Sequence, residues 1–253
     1  MKIGLTLSGG GIRGISHLGV IKALEENNIA ICHISGTSSG AIAGIFYAAG
    51  YAPEKILEII RKSKLKKLLF PALSRYGFLK IDQLKPVFEQ HLPVKMFEEL
   101  KLPVTVSATR LKDAKTVFFS TGSIGDALLA SSCIPILFKP VAIDGVTYVD
   151  GGIVNNLPVE PVLYCDRIIG SLCNPIDTDF KPKGIKNMIE RTLLISVNTN
   201  TYSRREKCHF ILEPDNLKSM NVFSFSKTEE IFKIGYEYTL SKMEEIKRMI
   251  SKG

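Results

Sequence analysis

The stretch that decides the fold is residues 1–50, MKIGLTLSGGGIRGISHLGVIKALEENNIAICHISGTSSGAIAGIFYAAG. An apolar, strand-like run at 2–8 precedes a helical pattern at 12–28. A second short strand at 29–35 then leads into a buried helix at 38–50. Alternating strands and helices form parallel sheets, because each right-handed crossover places a helix on a face of the sheet. The stretch therefore predicts an α/β fold.

The rest of the chain continues this alternation. Residues 53–100 are mainly helical in pattern and predict a cap or insert. Further strands are predicted at 102–109, 116–119, 146–149, 167–172 and 208–212, with a helix at 185–197 and one long amphipathic C-terminal helix at 227–250. No Gly/Ser-rich or Pro-rich linker interrupts the sequence. We therefore expect a single domain over residues 1–253, with its motif-bearing core at 1–160.

Charge and hydrophobicity raise the question of a membrane partner. The 253 residues are 45% hydrophobic and carry a formal net charge of +8. The basic cluster RKSKLKK is followed by the apolar run LLFPAL, within residues 61–79. This combination predicts peripheral docking on an anionic membrane surface. A packed helix whose lysines stay in water explains the same residues equally well. No nucleic-acid-binding module is present, and the oligomeric state stays open.

Targeting and cysteine signals are weak. The N-terminal MKIGLTLSGGG lacks the apolar core of a signal peptide, and the longest nearly apolar run, at 41–52, is too short to span a bilayer. These features predict a cytoplasmic protein, with peripheral membrane association as an option. The five scattered cysteines lack any C-x-x-C spacing, which favours neither a disulfide framework nor a zinc site. We expect no metal and no cofactor.

A glycine-rich loop, GGGIRG at residues 9–14, lies between the first strand and the first helix. It satisfies the dinucleotide pattern G-x-G-x-x-G, but that function needs an acidic residue about 20 positions on. The stretch SGTS stands there, at 35–38, so the dinucleotide interpretation fails. Two interpretations stay open. The N–H groups of successive glycines can hold an oxyanion at the helix start, or the glycines only permit a tight turn.

The second motif, GTSSG at residues 36–40, matches G-x-S-x-G between a predicted strand and a predicted helix. That context is the one a nucleophile elbow requires, since the sharp turn exposes the hydroxyl of its central serine. Ser38 is that serine, and Gly36 and Gly40 keep side chains out of the cramped turn. The alternative is a serine that merely caps the helix. The strand–turn–helix context favours the catalytic interpretation.

A serine nucleophile needs a base, and the four histidines fit this function poorly. His17 falls inside the first predicted helix, His33 inside the second strand, and His91 near a helix end. His209 would complete the order Ser, Asp, His along the chain, but it lies in a predicted strand interior. A structural function is favoured for each of them.

Asp150 is the stronger candidate for the base. It stands at the end of a predicted strand, and Gly151 and Gly152 open the backbone behind it. Side chains at the carboxyl ends of strands in a parallel-type sheet converge on one site. Asp144 and Gly145, just upstream, form a hairpin signal between two short strands, so Asp144 is interpreted as a turn residue.

The three blocks together resemble the patatin-like phospholipase family: GGGIRG at 9–14, GTSSG at 36–40 and DGG at 150–152, in the family's order. The linking sequences HLGV at 17–20 and SSCIP at 131–135 agree. The resemblance covers residues 2–158. It implies a three-layer α/β/α fold with a mainly parallel central sheet and a lipid acyl hydrolase of the phospholipase A or lysophospholipase type.

The resemblance also implies a function for each motif residue. Ser38 attacks the ester carbonyl and Asp150 accepts its proton, while loop N–H groups hold the oxyanion and Arg13 braces the loop or meets phosphate. The residues so implied in oxyanion and substrate binding are Gly9, Gly10, Gly11, Arg13 and Gly14, and those supporting the elbow and the aspartate are Gly36, Gly40, Gly151 and Gly152.

Three alternatives stay open at this level: an acyltransferase, an esterase of soluble esters with the same dyad, and a non-catalytic lipid-binding regulatory protein. The dyad chemistry makes one physical demand. An ordinary Asp, with a pKa of about 3.9, is a weak base for a serine hydroxyl. Burial beside the elbow is therefore expected to raise the pKa of Asp150.

Overall fold

The computed structural model describes residues 1–62, 84–135, 137–220, 222 and 225–251. Only the first two residues of the predicted membrane-contact stretch, 61–79, are among them. The remainder of that stretch lies outside the described residues. Within the described part, no helix is long and apolar enough to cross a membrane.

The described chain contains one central sheet. Its strands are β1 Ile3–Leu7, β2 Ile31–Thr37, β3 Val104–Arg110, β4 Lys115–Phe119, β5 Val141–Ile143, β6 Val146–Asp150, β7 Arg167–Ser171 and β8 Phe210–Leu212. The order is β5-β6-β3-β2-β1-β7-β8, and β4 also pairs with β3. Strands β1, β2, β3, β7 and β8 run parallel, whereas β4 and β6 are antiparallel to β3. The prediction of a mainly parallel central sheet is confirmed.

Strand β3 organises the edge of the sheet where the motifs meet. It pairs with β2 through residues 104–107 and with β6 through residues 108–110. It pairs with β4 through residues 106–110, a range that overlaps both of the others. A strand has two edges, so β4 must occupy one of them and β2 and β6 the other. Strands β2 and β6 therefore lie end to end along the same edge of β3.

Helices cover this sheet on the faces left by the crossovers. In the described residues they are α1 Ser16–Glu26, α2 Ser39–Ala48, α3 Pro53–Lys62, α4 Leu84–His91, α5 Ile124–Ser132, α6 Ile185–Thr199, α7 Tyr202–Arg205, α8 Thr228–Ser241 and α9 Met243–Ser251. Short 3₁₀ turns join them, including Gly11–Ile15 before α1 and Gly151–Ile153 after β6. The predicted three-layer α/β/α fold is confirmed.

The main apolar core lies between the sheet and the helices that include α1, α2, α5 and α8. Leu5 and Leu7 point into it from β1 and are fully buried. The other face carries a smaller apolar cluster that includes Val162. A methyl group at Gly4 would come within 2.8 Å of the Val162 Cβ atom, so this layer packs directly on the β1 backbone.

The C-terminal helix differs from its prediction. A single helix over 227–250 was expected, but the structure ends α8 at Ser241 and begins α9 at Met243. The N–H of Lys242 donates to the carbonyl of Thr239, which closes a tighter turn at the break. Buried residues continue at four- and three-residue spacing through the break, from Thr239 to Met243 and Ile246. The apolar period therefore conceals the interruption.

Candidate active site

The turn between β2 and α2 holds Ser38 in an unusual backbone conformation, with φ 51° and ψ −118°. Positive φ is rare for a residue with a side chain and is a strained geometry that recurs at functional turns. The turn is tight enough to require its glycines. A methyl group at Gly36 would come 2.6 Å from the backbone nitrogen of Ala41, and one at Gly40 would come 2.5 Å from the carbonyl oxygen of Leu7.

Neighbouring hydroxyl groups hold this turn. The N–H of Ser38 donates to the hydroxyl of Ser131 at 2.8 Å. The hydroxyl of Thr37 donates to the carbonyl of Asn155 at 2.9 Å and lies 2.5 Å from the hydroxyl of Ser107. The elbow is thus tied to α5, to β3 and to the segment that follows Asp150.

Asp150 ends β6 and is buried, with 7% of its surface exposed. Its Oδ1 atom accepts the N–H of Gly152 at 2.7 Å. Burial raises the pKa of Asp150 to about 6, and hydrogen bonds from the Gly152 backbone and the Ser38 side chain offset part of this rise. The sequence predicted the direction of this pKa shift and its cause.

The structure brings Ser38 and Asp150 together. The Ser38 side chain lies close enough to the carboxyl group to offset part of the rise in the pKa of Asp150, and both residues line one cavity. Gly151 packs where a methyl group would come 2.5 Å from the carbonyl oxygen of Ser107, so β6 can turn sharply beside β3. A methyl group at Gly152 would come 3.0 Å from the Oδ1 atom of Asp150. A side chain at Gly151 would therefore crowd Ser107, and one at Gly152 would crowd the carboxyl group of Asp150.

The glycine loop lines the same cavity with Gly9, Gly10 and Gly11. The N–H of Gly9 already donates to the Oδ1 atom of Asn156 at 3.1 Å, so in this structure it has an acceptor within the protein. The N–H groups of Gly10 and Gly11 have no acceptor among the described residues. Gly11 has φ +57°, and a methyl group there would come 2.7 Å from the carbonyl oxygen of Val222. Gly10 and Gly11 are thus the two loop residues with N–H groups free for a ligand.

Three asparagines that sequence reasoning missed hold the two loops together. The Nδ2 atom of Asn174 donates to the Gly9 carbonyl at 2.6 Å, on the same peptide segment that Asn156 contacts. The Oδ1 atom of Asn200 accepts the N–H of Asn156 at 2.9 Å, and its Nδ2 atom donates to the Gly152 carbonyl at 2.8 Å. A signal existed for Asn174, which follows β7 at the sheet edge where parallel strands deliver side chains.

Arg13 and Gly14 do not meet Asp150. The Nε atom of Arg13 donates to the Met220 carbonyl at 2.6 Å, and its Nη2 atom donates to the Lys218 carbonyl at 3.3 Å. Arg13 therefore braces the glycine loop against the segment 218–220, which is one of its two expected functions. Gly14 packs against the side chain of Ser39, where any larger residue would collide.

Three of the four histidines, His17, His33 and His209, have structural side-chain contacts, and the backbone carbonyl of His91 accepts the hydroxyl of Tyr51. His17 is fully buried between the carbonyl of Ser8 and the hydroxyl of Ser171, and burial lowers its pKa to about 4. His33 contacts Thr105 and Tyr164. His209 accepts the N–H of Ile168. Within the described ranges, none of the four forms a hydrogen bond with Ser38 or Asp150.

Two cavities meet at Ser38. The first has a volume of about 140 Å³ and the second about 130 Å³. Both are bordered by Ser38, Gly11, Ile134, Leu137 and Val222. The first is walled by apolar side chains of α1, α2, α4 and the loops beside them: Ile15, Leu18, Ile42, Ala43, Leu84, Phe88 and Phe138. The second contains Asp150 and is walled by α6: Leu193, Leu194 and Val197.

Chemically, the site combines a serine hydroxyl on a strained turn, a buried carboxyl group with a raised pKa and two backbone N–H groups that lack an acceptor among the described residues, beside apolar cavities. Such an arrangement can carry out acyl transfer through a serine nucleophile. In the described parts of the chain, no group of three or more His, Cys, Asp or Glu side chains is placed to hold a metal ion.

Comparison with known proteins agrees with this geometry. The family model of patatin-like phospholipases matches residues 5–163, which include the glycine loop, the elbow and Asp150.

Curated relatives extend the match. Uncharacterized NTE family proteins of Mycobacterium bovis and Mycobacterium tuberculosis are 34% identical over 163 residues, which cover 64% of this chain and 45% of theirs. The lysophospholipase NTE1 of Kluyveromyces lactis is 27% identical over 273 residues, covering 93% of this chain and 19% of its own. The chain thus spans less than half the length of these relatives.

Among solved structures, VipD from Legionella pneumophila superposes with a TM-score of 0.66 at 15% identity. The superposition covers 96% of this chain and 67% of VipD. It shows a shared fold.

Proposed function

Because this chain belongs to the patatin-like phospholipase family, we propose that it hydrolyses carboxylic ester bonds of lipids, with Ser38 as the nucleophile and Asp150 as its general base. The observation that carries this proposal is the proximity of the Ser38 side chain to the buried Asp150 carboxyl group, in a cavity that Gly10 and Gly11 also line.

The proposed acylation step follows from these positions. Asp150 takes the hydroxyl proton of Ser38 as the Oγ atom bonds to the ester carbonyl carbon. The carbonyl oxygen becomes an oxyanion, which the free N–H groups of Gly10 and Gly11 stabilise. One such donor lowers the activation free energy by about 3–4 kcal/mol. The tetrahedral intermediate then breaks its bond to the alcohol oxygen, which leaves with the proton from Asp150.

Deacylation repeats the sequence with water. Asp150, again ionised, accepts a proton from water as the water oxygen attacks the acyl carbon. Collapse of the second intermediate releases the fatty acid and returns the proton to the Oγ atom of Ser38. A base with a pKa of about 6 suits both steps near neutral pH, because it is ionised in the resting enzyme yet holds a proton well enough to deliver it.

The substrate class follows from the cavities. The first cavity is walled almost entirely by apolar side chains, including Ile42, Phe88 and Phe138, which suit a fatty acyl chain. The second cavity lies on the Asp150 side, where the leaving alcohol must collect its proton. We therefore propose an acyl chain in the first cavity and the alcohol part of the lipid in the second. The name lysophospholipase, carried by the relative from Kluyveromyces lactis, agrees with such a substrate.

A lipid panel tests the proposal. Fatty-acid release is measured from lysophosphatidylcholine, phosphatidylcholine, phosphatidylglycerol and monoacylglycerol, with wild type, Ser38→Ala and Ser39→Ala. We expect release from at least one lipid by wild type and loss of about a thousandfold or more in Ser38→Ala. Ser39→Ala is the matched control, since Ser39 lies one step along α2 with its side chain against Gly14. Equal release by wild type and Ser38→Ala would overturn the assignment.

A further inference from the structure

Helix α6 carries an unusual exposed surface. Four of its apolar side chains are exposed: Ile185 at 82%, Met188 at 45%, Ile189 at 41% and Ile195 at 48%. Counted from Ile185 they lie three, four and ten residues along the helix, which puts all four on one side of it. Other exposed apolar residues in the described chain, such as Leu111 and Leu163, are scattered over separate elements. We call these four residues the α6 stripe.

The adjoining side of the same helix forms a wall of the candidate active site. Leu193, Leu194 and Val197 line the cavity that contains Ser38 and Asp150. On a helical projection, Leu193 and Val197 continue the row that Ile189 begins at four-residue spacing, and Leu194 lies opposite Ile185. One helix thus lines the cavity that contains Ser38 and Asp150 and, on the adjoining side, exposes apolar side chains to water.

The chain around the stripe is basic overall, because residues 175–207 contain seven Lys and Arg residues against four Asp and Glu residues, of which Asp177 and Asp179 lie just before α6. Lys181 and Lys183 precede α6 and are exposed, and the whole chain carries a net charge of +8. Tyr202, three residues beyond α6, is 59% exposed. Lysines and an aromatic ring beside an apolar helix face are typical of helices that lie in a membrane interface.

We propose that the α6 stripe binds the surface of a phospholipid bilayer containing anionic lipid. The isoleucines enter the boundary between headgroups and acyl chains, and Lys181 and Lys183 contact anionic headgroups. This proposal rests on the proposed lipid hydrolysis, because it places the wall of the catalytic cavity against the phase that holds the substrate.

A bilayer fits this surface better than a protein partner. A protein covering the stripe would bury α6 and stand between the catalytic cavity and lipid, whereas a bilayer both covers the apolar side chains and supplies substrate. The exposed lysines agree, since they are attracted to anionic headgroups. A second copy of this chain presents the same positive charge and is repelled at low salt.

Vesicle co-sedimentation tests the proposal. The probes are vesicles of phosphatidylcholine alone and of phosphatidylcholine mixed with phosphatidylglycerol, at low and high salt. The test variant carries Ile185→Ser, Ile189→Ser and Ile195→Ser. The matched control carries Leu111→Ser and Leu163→Ser, which remove exposed leucines elsewhere. Hydrolysis of a short soluble ester reports on folding of each variant, and light scattering reports on oligomeric state.

We expect wild type to bind the anionic vesicles, and the triple variant to bind about tenfold more weakly with unchanged soluble-ester hydrolysis. The leucine control should bind as wild type does. Equal vesicle affinity of triple variant and wild type would overturn the proposal, as would a wild-type dimer that the triple variant dissociates without any change in vesicle affinity. Ser38→Ala should bind vesicles as wild type does. Vesicle binding by wild type without release of fatty acid from any lipid of the panel would overturn the proposed function and leave the docking surface standing.

Discussion

Ser38 and Asp150 meet because their strands reach one edge of β3 from opposite directions. Thr37, the last residue of β2, pairs with Ser107, and Asp150, the last residue of β6, pairs with Ala108. The two strand ends are therefore adjacent in register, and the residues at these ends face each other across the join. The strained turn at Ser38 and the sharp turn after Asp150 then bring both side chains into one cavity.

Replacing the buried carboxylate should stabilise the protein. Burial raises the pKa of Asp150 from 3.8 to about 6, so the folded state binds its proton more tightly than the unfolded state. Protonated Asp150 therefore increases the free energy of unfolding at low pH, and this contribution is lost as pH rises from about 4 to 6. At pH 8 Asp150→Asn removes the cost of a buried charge, which is at most about 3 kcal/mol.

Thermal unfolding measured at pH 8 checks this prediction. We expect a higher midpoint for Asp150→Asn than for wild type, although ester hydrolysis is largely lost. At pH 4 the difference should nearly vanish. If Asp150→Asn were less stable than wild type at pH 8, burial of the ionised Asp150 carboxylate would not be destabilising the folded protein.

The pH profile of hydrolysis should follow the same group. Since only the ionised carboxylate can accept the Ser38 proton, kcat/KM for a short soluble ester should fall about tenfold per pH unit below about 6.

His17 also affects the protein at acidic pH, through its folding stability. Its buried ring has a pKa lowered to about 4. The contribution of neutral His17 to the free energy of unfolding is therefore fully present above about pH 6.5 and declines as pH falls toward 4. Circular dichroism at each pH identifies the range in which the protein stays folded. A flat profile down to pH 4 in folded protein contradicts the assignment of Asp150.

Asn156, which also lines the second cavity, should control the position of the glycine loop through the Gly9 N–H. Its side chain accepts the Gly9 N–H, and its backbone is tied to Asn200. Asn156→Ala leaves the Gly9 N–H without this partner, so we expect kcat to fall roughly tenfold to a hundredfold, with KM nearly unchanged. Asn155→Ala is the control, because the Asn155 side chain binds Glu160 instead. Equal losses in the two variants, or a change in KM alone, would argue against a positioning function.

Cavity shape should set the preferred acyl length. Ala43 is buried in α2 and lines the first cavity. Ala43→Phe fills part of this space, so kcat/KM for long-chain esters should drop about tenfold to a hundredfold, since each excluded methylene forfeits about 0.8 kcal/mol. Short-chain esters should be cleaved at nearly the wild-type rate. Ile42→Ala, which enlarges the same cavity, should keep long-chain activity. Equal effects of Ala43→Phe on short and long chains would place the acyl chain elsewhere.

Much of the fold was predictable because the period of the apolar residues is a local property. The first two strands and helices lie within a few residues of their predicted positions. The turn at Asp144 and Gly145 has positive φ at both residues, as its hairpin signal predicts. The break between α8 and α9 escaped prediction because the apolar period runs through it.

The residues of the site were predictable from the sequence, but the strand pairing and the contacts that bring them together were not. Ser38 and Asp150 carry local motif signals, whereas the reason they meet does not. Asp150 reaches the site on a strand antiparallel to β3, and not on a parallel strand as the general rule for such sheets suggested. The occupied N–H of Gly9 also depends on Asn156, a partner 147 residues away in the chain. Contacts over such separations leave no periodic trace in sequence.

The most direct test of the Ser38–Asp150 dyad is the rate of labelling by a fluorophosphonate at pH 8, with the adduct located by peptide mass spectrometry. The dyad predicts one adduct, on Ser38. Labelling should be absent in Ser38→Ala, slowed about a hundredfold to ten-thousandfold in Asp150→Asn and unchanged in Ser39→Ala. Labelling of Asp150→Asn at the wild-type rate, or an equally fast adduct in Ser38→Ala, would contradict the account.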